Sequence, residues 1–330
     1  MLSKVTKGFV IAAVAATSIM AADKISGAGA TFPAPVYYDW AYNYQKATHT
    51  RVNYQAIGSG GGIKQISERI VDFGGTDAPL TPKELDAAKL YQFPAVIGSI
   101  VVAYNIPGVA DGQLKLKNSV VADIFAGKVT MWNDPAIAAD NAGVKLPAEK
   151  IIVAHRSDGS GTTFNFTAYL SEASKMWKST YGTGKAIGWA TGIGGKGNEG
   201  VTNLIMQTPY TIGYIEEAYK EKNHLAAATL QTAQGKWVKA DMAGFQAAVK
   251  QAKWTKKDHF YSSLVMQDNA YPIVAATFIL MPREKADVNQ EVIKFFDYAF
   301  RSGDKAAEKL GYIPLPVETT NMVREYWAGK

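Results

Sequence analysis

Apolar residues along the chain follow two periods and one kind of uninterrupted run. At helical spacing, Tyr37, Trp40, Ala41 and Tyr44 share one face, and Ile63, Ile66 and Ile70 another. Val292, Phe295, Phe296, Ala299 and Phe300 form a third. This recurrence predicts amphipathic helices whose apolar stripes are core. Val52-Asn53-Tyr54-Gln55-Ala56-Ile57 alternates as a half-buried strand does. Ile151-Ile152-Val153-Ala154 and the run 97–104 are apolar without alternation, and so is the distant run 272–280. Such runs predict strands covered on both faces. Two long buried strands so far apart predict crossovers between two α/β lobes. Residues 23–105 and 275–330 then form one lobe, and 106–274 form the other, inserted. The region 231–268 is polar, lysine-rich and weakly patterned, and reads as surface helices and loops.

Composition adds an address. Lys4 and Lys7 precede a short apolar run, 8–22, within the first residues of the chain. That run is too short to span a bilayer and reads as a secretory signal, residues 1–22, cut near Ala21 or Ala22. The 330 residues are 47% hydrophobic and 19% charged, which suits two globular lobes. The absence of cysteine excludes disulfides, thiolate metal sites, cysteine nucleophiles and a lipid-modified cysteine. The formal charge is +6; without the signal, 33 basic against 29 acidic residues leave +4. So mild and evenly spread a charge does not argue for nucleic acid.

The chemistry concentrates where strands give way to helices. His155-Arg156-Ser157-Asp158-Gly159-Ser160-Gly161-Thr162-Thr163-Phe164 joins the strand at 151–154 to a helix over 164–173. Its glycines allow a tight turn, and Ser160 and Thr162 suit a helix start, where amide hydrogens lack partners. Arg156 adds a planar fork of donors matched to a tetrahedral oxyanion, and Asp158 is placed to hold that fork. Together these groups describe an anion cradle. Gly27-Ala28-Gly29-Ala30-Thr31-Phe32-Pro33-Ala34-Pro35 repeats the design, with Thr31 as the expected cap and Pro33 in the first turn. Gly58-Ser59-Gly60-Gly61-Gly62 is a third copy. Asp77 leaves another short strand in Gly74-Gly75-Thr76-Asp77-Ala78-Pro79, where a turn residue bonding its own backbone is the plainest reading.

Enzyme motifs fail on inspection. Gly192-Ile193-Gly194-Gly195-Lys196-Gly197 matches G-x-G-x-x-G, but lacks a clear preceding strand and a following acidic residue. It reads instead as the start of a helix carrying Val201, Leu204 and Ile205. The four histidines, His49, His155, His224 and His259, have no metal-pair spacing. Ile57 and Asp158 stand where a G-x-S-x-G turn around Ser59 or Ser160 needs glycine. Binding without chemistry fits better than catalysis.

The Gly27 to Pro35 stretch, the Gly58-Ser59 turn, the Gly74 to Pro79 turn and the Arg156 to Thr162 turn, in this order, closely resemble the periplasmic phosphate-binding proteins of bacterial Pst-type ABC transporters. The resemblance runs over residues 25–327. It implies a two-lobe periplasmic binding fold of type II, a hinge of two crossing strands and one phosphate in the interlobe cleft. It further implies that Thr31, Phe32, Ser59, Arg156, Ser160, Gly161 and Thr162 donate to phosphate, that Asp77 accepts a phosphate hydrogen, and that Asp158 steadies Arg156. Gly60 stands where a relative carries a second serine, and His155 where it carries a second basic residue. The implied partners are inorganic phosphate and the membrane permease subunits of a phosphate ABC transporter with its cytoplasmic ATPase. The chain is expected to be a periplasmic monomer that binds without catalysis, cofactor or metal. A carboxylate acceptor at Asp77 rejects sulfate, which carries no hydrogen, by roughly 10⁴-fold. A binder of sulfate, molybdate or tungstate needs no such acceptor. A secreted phosphoesterase would show turnover dependent on Ser160.

Overall fold

The computed structural model describes residues 24–328, so the expected secretory signal lies outside the described residues. Three parallel strands come first: β1 (Lys24–Gly29), β2 (Arg51–Ala56) and β3 (Phe73–Thr76), with β1 between the other two. Then follow β4 (Leu90–Asn105), β5 (Ile152–Arg156), β6 (Ile193–Gly195) and β7 (Thr211–Glu216). The short β8 (Ala226–Ala227), β9 (Leu230–Gln231) and β10 (Trp237–Val238) precede the last long strand, β11 (Val274–Pro282). The main sheet runs β2-β1-β3-β11-β4-β7-β5-β6, with β8 also on β4.

One strand joins the two halves of this sheet. β4 pairs with β11 over Leu90 to Ser99, then with β7 over Ile100 to Asn105. Every residue from Gln92 to Tyr104 is buried, which is why the sequence there does not alternate. The strand starts earlier than the apolar run 97–104 because Pro94 hides its beginning. Pro94 cannot donate to the ladder, and the register shifts there, leaving Ala95 as an extra residue between the Phe278–Pro94 and Thr277–Val96 pairs. β11 begins at Val274, two residues inside the apolar run.

Each half has its own aromatic core. In the first, Tyr37, Trp40, Ala41 and Tyr44 of the helix Ala34–Thr48 are all buried. Tyr54 stacks on Phe73 at 5.8 Å, and Phe296 meets Phe73 edge-on at 5.4 Å. In the second, Phe166 stacks on Tyr214 at 4.2 Å and packs against Phe125 at 4.8 Å. Such contacts add about 0.5–1.5 kcal/mol each beyond the area they bury.

Four expectations change. Ile70 is 62% exposed, because the helix Ser59–Ser67 has already ended. Arg69 turns left-handed there (φ 61), and its guanidinium donates to the carbonyls of Ile66, Ser67 and Ala88. Phe300 and Leu204 are only partly buried, at the margins of their apolar faces. The region 231–268 is more than surface: Phe245, Trp254, Phe260 and Leu264 are buried. Trp254 packs on Phe278 of β11 and Phe260 on Tyr326 of the helix Val317–Ala328. The fourth change, at Thr31, belongs to the site.

Candidate functional site

Because β1, β2 and β3 are parallel, their carboxyl ends lie at one edge of the sheet, and the chain leaves that edge at Thr31, Ser59 and Asp77. In the second half β5, β6 and β7 are likewise parallel and bring Arg156, Asn198 and Glu216 to one edge. Ligands of open α/β sheets bind beyond such edges. Here the two edges meet. Gly60 N–H donates to the Gly159 carbonyl at 2.7 Å, Gly161 N–H to Ser59 Oγ at 3.0 Å, and Asn165 Nδ2 to the Asp77 carbonyl at 2.7 Å. A Cβ at Gly161 would lie 2.5 Å from Ser59 Oγ and 2.6 Å from Asp77 Cβ, so only glycine allows this approach. Gly58, at φ 89, supplies the left-handed step into the Ser59 helix.

Arg156 ends β5, and its side chain is 1% exposed. Nε donates to Asp158 Oδ1 at 2.7 Å and Nη2 to Oδ2 at 2.6 Å. This bidentate pair uses one edge of the guanidinium and leaves the Nη1–Nη2 edge aimed elsewhere. Nη1 also donates to Thr162 Oγ1 at 3.3 Å. Burial pushes the Asp158 carboxyl upward, but the Arg156 guanidinium and the Gly197 N–H, at 3.0 Å, outweigh it and hold the group below its ordinary range.

Asp77 is the opposite case. It is 1% exposed, and its Oδ1 has no hydrogen-bond partner among the described residues. Burial raises its pKa to about 7, against the lowering influence of Thr277, Arg156 and Ser59. Its contact with Ser59 is weak: Ser59 Oγ lies 3.5 Å from Oδ2. A turn aspartate bonding its own backbone would be exposed; this one is sealed into the site.

The hydroxyls share one design. Ser59 Oγ accepts from the N–H groups of Asp77 (3.2 Å) and Gly161 (3.0 Å). Thr31 Oγ1 accepts from Asn198 N (3.0 Å) and Nδ2 (2.8 Å). Thr162 Oγ1 accepts from Arg156 Nη1 and Asn198 Nδ2, both at 3.3 Å. A hydroxyl has two acceptor lone pairs and one hydrogen. With both lone pairs taken, each of the three can only donate further. Thr31 is therefore not the helix cap: the helix Ala34–Thr48 has Pro33 at its N-cap and no side-chain cap, and the Thr31 hydroxyl faces across the cleft.

Ser160 caps the helix Gly161–Ala173, its Oγ accepting from Thr163 N at 3.0 Å. Its own N–H donates to the Lys185 carbonyl at 2.9 Å. The Thr162 N–H lies in the first helical turn, where no intrahelical acceptor exists. Phe32 is fully buried, and its carbonyl accepts from Tyr312 Oη at 2.6 Å. Of the eight residues singled out for phosphate, hydrogen bonds and close approach join Ser59, Asp77 and Gly161 to one another, and join Thr31 through Asn198 to Thr162 and Arg156, with Asp158 bonded to Arg156; Phe32 and Ser160 adjoin them in sequence. His155 is not among them: its ring stacks on Trp189 at 4.9 Å and Nδ1 meets the Arg156 carbonyl at 3.1 Å. Sequence reasoning missed Asn198, Thr277 and Tyr312. Asn198 follows the G-x-G-x-x-G stretch, where its place at a helix start was the available signal.

Other features do not compete. A surface groove of about 650 Å³ between Pro35, Glu217, Phe245 and Leu310 contains none of these residues. Among the described residues, no group of three or more His, Asp or Glu side chains is arranged to hold a metal ion. No described helix is long and apolar enough to cross a membrane.

Comparison with known proteins gives concordant results. A family model described as a PBP superfamily domain matches residues 14–302. The chain is 47% identical over 310 residues to the phosphate-binding protein PstS of Pasteurella multocida, covering 93% of this chain and 90% of that protein. It is 46% identical over 310 residues to PstS of Haemophilus influenzae, covering 93% of each. The fold is similar to that of a high-affinity periplasmic phosphate-binding protein solved with phosphate (TM-score 0.71, 20% identity, 92% of this chain and 93% of that one). It is also similar to the phosphate-binding protein of Stenotrophomonas maltophilia (TM-score 0.62, 19% identity, 92% and 93%).

Proposed function

The chain belongs to the PstS family of phosphate-binding proteins within the PBP superfamily, and from that premise we propose that it captures inorganic phosphate between two lobes and delivers it to an ABC transporter for import. The observation that carries this reading is the imbalance of the site. The site combines three hydroxyls limited to donating and the Nη1–Nη2 edge of Arg156 with one buried acceptor that has no partner among the described residues, Asp77 Oδ1. Phosphate near neutral pH presents several oxygens that accept and at least one hydrogen that must be accepted. Sulfate presents none. An ionised Asp77 rewards the first ligand and repels the second, and discrimination by such unpaired contacts reaches roughly 10⁴-fold.

In this reading Thr31, Phe32, Ser59, Arg156, Ser160, Gly161 and Thr162 hold the anion, Asp77 accepts its hydrogen, and Asp158 positions Arg156. Residues 23–105 with 275–330 form one lobe and 106–274 the other, closing about β4 and β11 by hinge motion. The chain works in the periplasm as a monomer after loss of residues 1–22. It docks on the membrane permease subunits of the transporter, whose cytoplasmic ATPase drives import. In this reading the site binds without chemistry, as the relatives' description as binding proteins supports.

Calorimetric titration of phosphate-stripped protein with phosphate, molybdate and tungstate tests the reading. One phosphate per chain, bound far more tightly than either metal oxyanion, is the expected result. Comparable binding of the three, or no phosphate binding, would overturn it.

A further inference from the structure

Asn198 is completely buried and makes four hydrogen bonds beyond its own helix, reaching both halves of the molecule. It bonds nothing through chance orientation. Its Oδ1 accepts from the Glu216 N–H at 3.0 Å. A backbone N–H can only donate, so the amide oxygen must face β7 and the amide nitrogen must face the cleft. That nitrogen has two hydrogens and two acceptors in reach: Thr31 Oγ1 at 2.8 Å and Thr162 Oγ1 at 3.3 Å. The Asn198 backbone N–H adds a second bond to Thr31 Oγ1 at 3.0 Å. Thr31 follows β1, whereas Thr162 and Asn198 follow β5 and β6.

We propose that Asn198 is a positioning residue that fixes the Thr31 and Thr162 hydroxyls, one from each half, as hydrogen donors to the bound anion. The proposal rests on the phosphate reading above and deepens it. The direction of each hydroxyl follows from a chain of obligations: the Glu216 N–H sets the amide, and the amide sets both hydroxyls. The Thr31 part of that chain exists only when the halves are together. Apart, Thr31 is free to accept as well as donate. Closure therefore makes Thr31 an obligate donor, so the site recognises an array of acceptor oxygens most strongly in its closed form. The remaining hydroxyl, on Ser59, is fixed in the same sense by backbone N–H groups and needs no such residue.

The test is a cycle of phosphate dissociation constants for wild type, Asn198→Ala, Thr31→Val and the double variant. Asn198→Ala is expected to weaken phosphate about tenfold in the wild-type background, but no more than about threefold once Thr31 has no hydroxyl to orient. A residue that only braced the fold would cost the same factor in both backgrounds, and that result, or an Asn198→Ala affinity equal to wild type, overturns the proposal. If Asn198→Ala does not fold, Asn198→Asp replaces it. This isostere keeps an oxygen for the Glu216 N–H but turns the cleft-facing group from donor to acceptor. A loss of about 100-fold or more, at least threefold of it removed by Thr31→Val, supports the proposal. An unchanged dissociation constant, or a loss identical in both backgrounds, overturns it. Wild-type protein that takes no phosphate would sink the functional reading itself, a separate and earlier failure.

Discussion

The two walls of the cleft each present a carboxyl, one partly buried at Asp158 and one fully buried at Asp77, and the two are prepared in opposite ways. On the wall after β5, Asp158 grips the Arg156 guanidinium through two bonds at 2.6–2.7 Å and is held below its ordinary pKa. On the wall after β3, Asp77 has only a weak contact with Ser59, an Oδ1 with no partner among the described residues, and a pKa raised to about 7 by burial. Asp158 has already spent its charge inside the protein; Asp77 has not. The first carboxylate braces a donor, and in the phosphate reading the second is the acceptor of the ligand's hydrogen. A site with two braced acids would bind any oxyanion, and a site with two unspent ones would repel them all.

Breaking the braced side has the largest expected effect. Arg156→Ala removes a buried cation from the cleft and leaves the partly buried Asp158 without its partner. Loss of one member of a buried pair costs about 3–5 kcal/mol. Phosphate affinity measured by calorimetry is expected to fall by roughly 10³-fold or more.

Next comes the unspent side, read as stability. The folded pKa of Asp77 lies above its unfolded value, so the folded state holds the proton more tightly than the unfolded state does. The penalty is therefore absent below the ordinary aspartate value of 3.8 and grows until pH passes about 7. Asp77→Asn should stabilise ligand-free protein by as much as about 4 kcal/mol near pH 8 and hardly at all near pH 4. Denaturant midpoints at the two pH values check it. A gain equal at both would mean that Asp77 is not the buried acid described here.

A smaller effect is expected where the walls touch. Gly161→Ala drives a methyl group into Ser59 Oγ and Asp77 Cβ, so the closed approach must loosen. Phosphate binding should weaken about 10- to 100-fold, while the melting temperature of ligand-free protein changes little.

Much of the braced side was legible in the chain, because its parts are neighbours. Arg156, Asp158, Ser160 and Thr162 lie within one turn, and spacing alone suggested their roles. The strand–turn–helix repeats and the continuous burial of β4 were legible for the same reason: local period reports local environment. Asp77 was not legible from its residues, since a turn aspartate and a sealed acceptor share one local pattern. Only the resemblance to phosphate-binding proteins separated them. Asn198 was hidden because its bond to Thr31 spans 167 residues. Thr31 was read as a cap because Pro33 suits a first helical turn and a threonine just ahead of it suits the cap, whereas the helix begins at Ala34 and the partner of Thr31 comes from the other half. The segment 231–268 concealed Trp254 and Phe260, since irregular backbone buries single side chains without any period to betray them.

The central claim is that one unspent carboxylate selects a ligand carrying a hydrogen. Its most direct test is calorimetric titration of phosphate-stripped wild type and Asp77→Asn with phosphate and with sulfate, near pH 8, where Asp77 is ionised. Wild type should take one phosphate and reject sulfate by roughly 10⁴-fold, and Asp77→Asn, whose amide donates to either ion, should narrow that gap by about 10²-fold or more. A gap unchanged by the substitution, or wild type that binds sulfate as well as phosphate, would contradict the account.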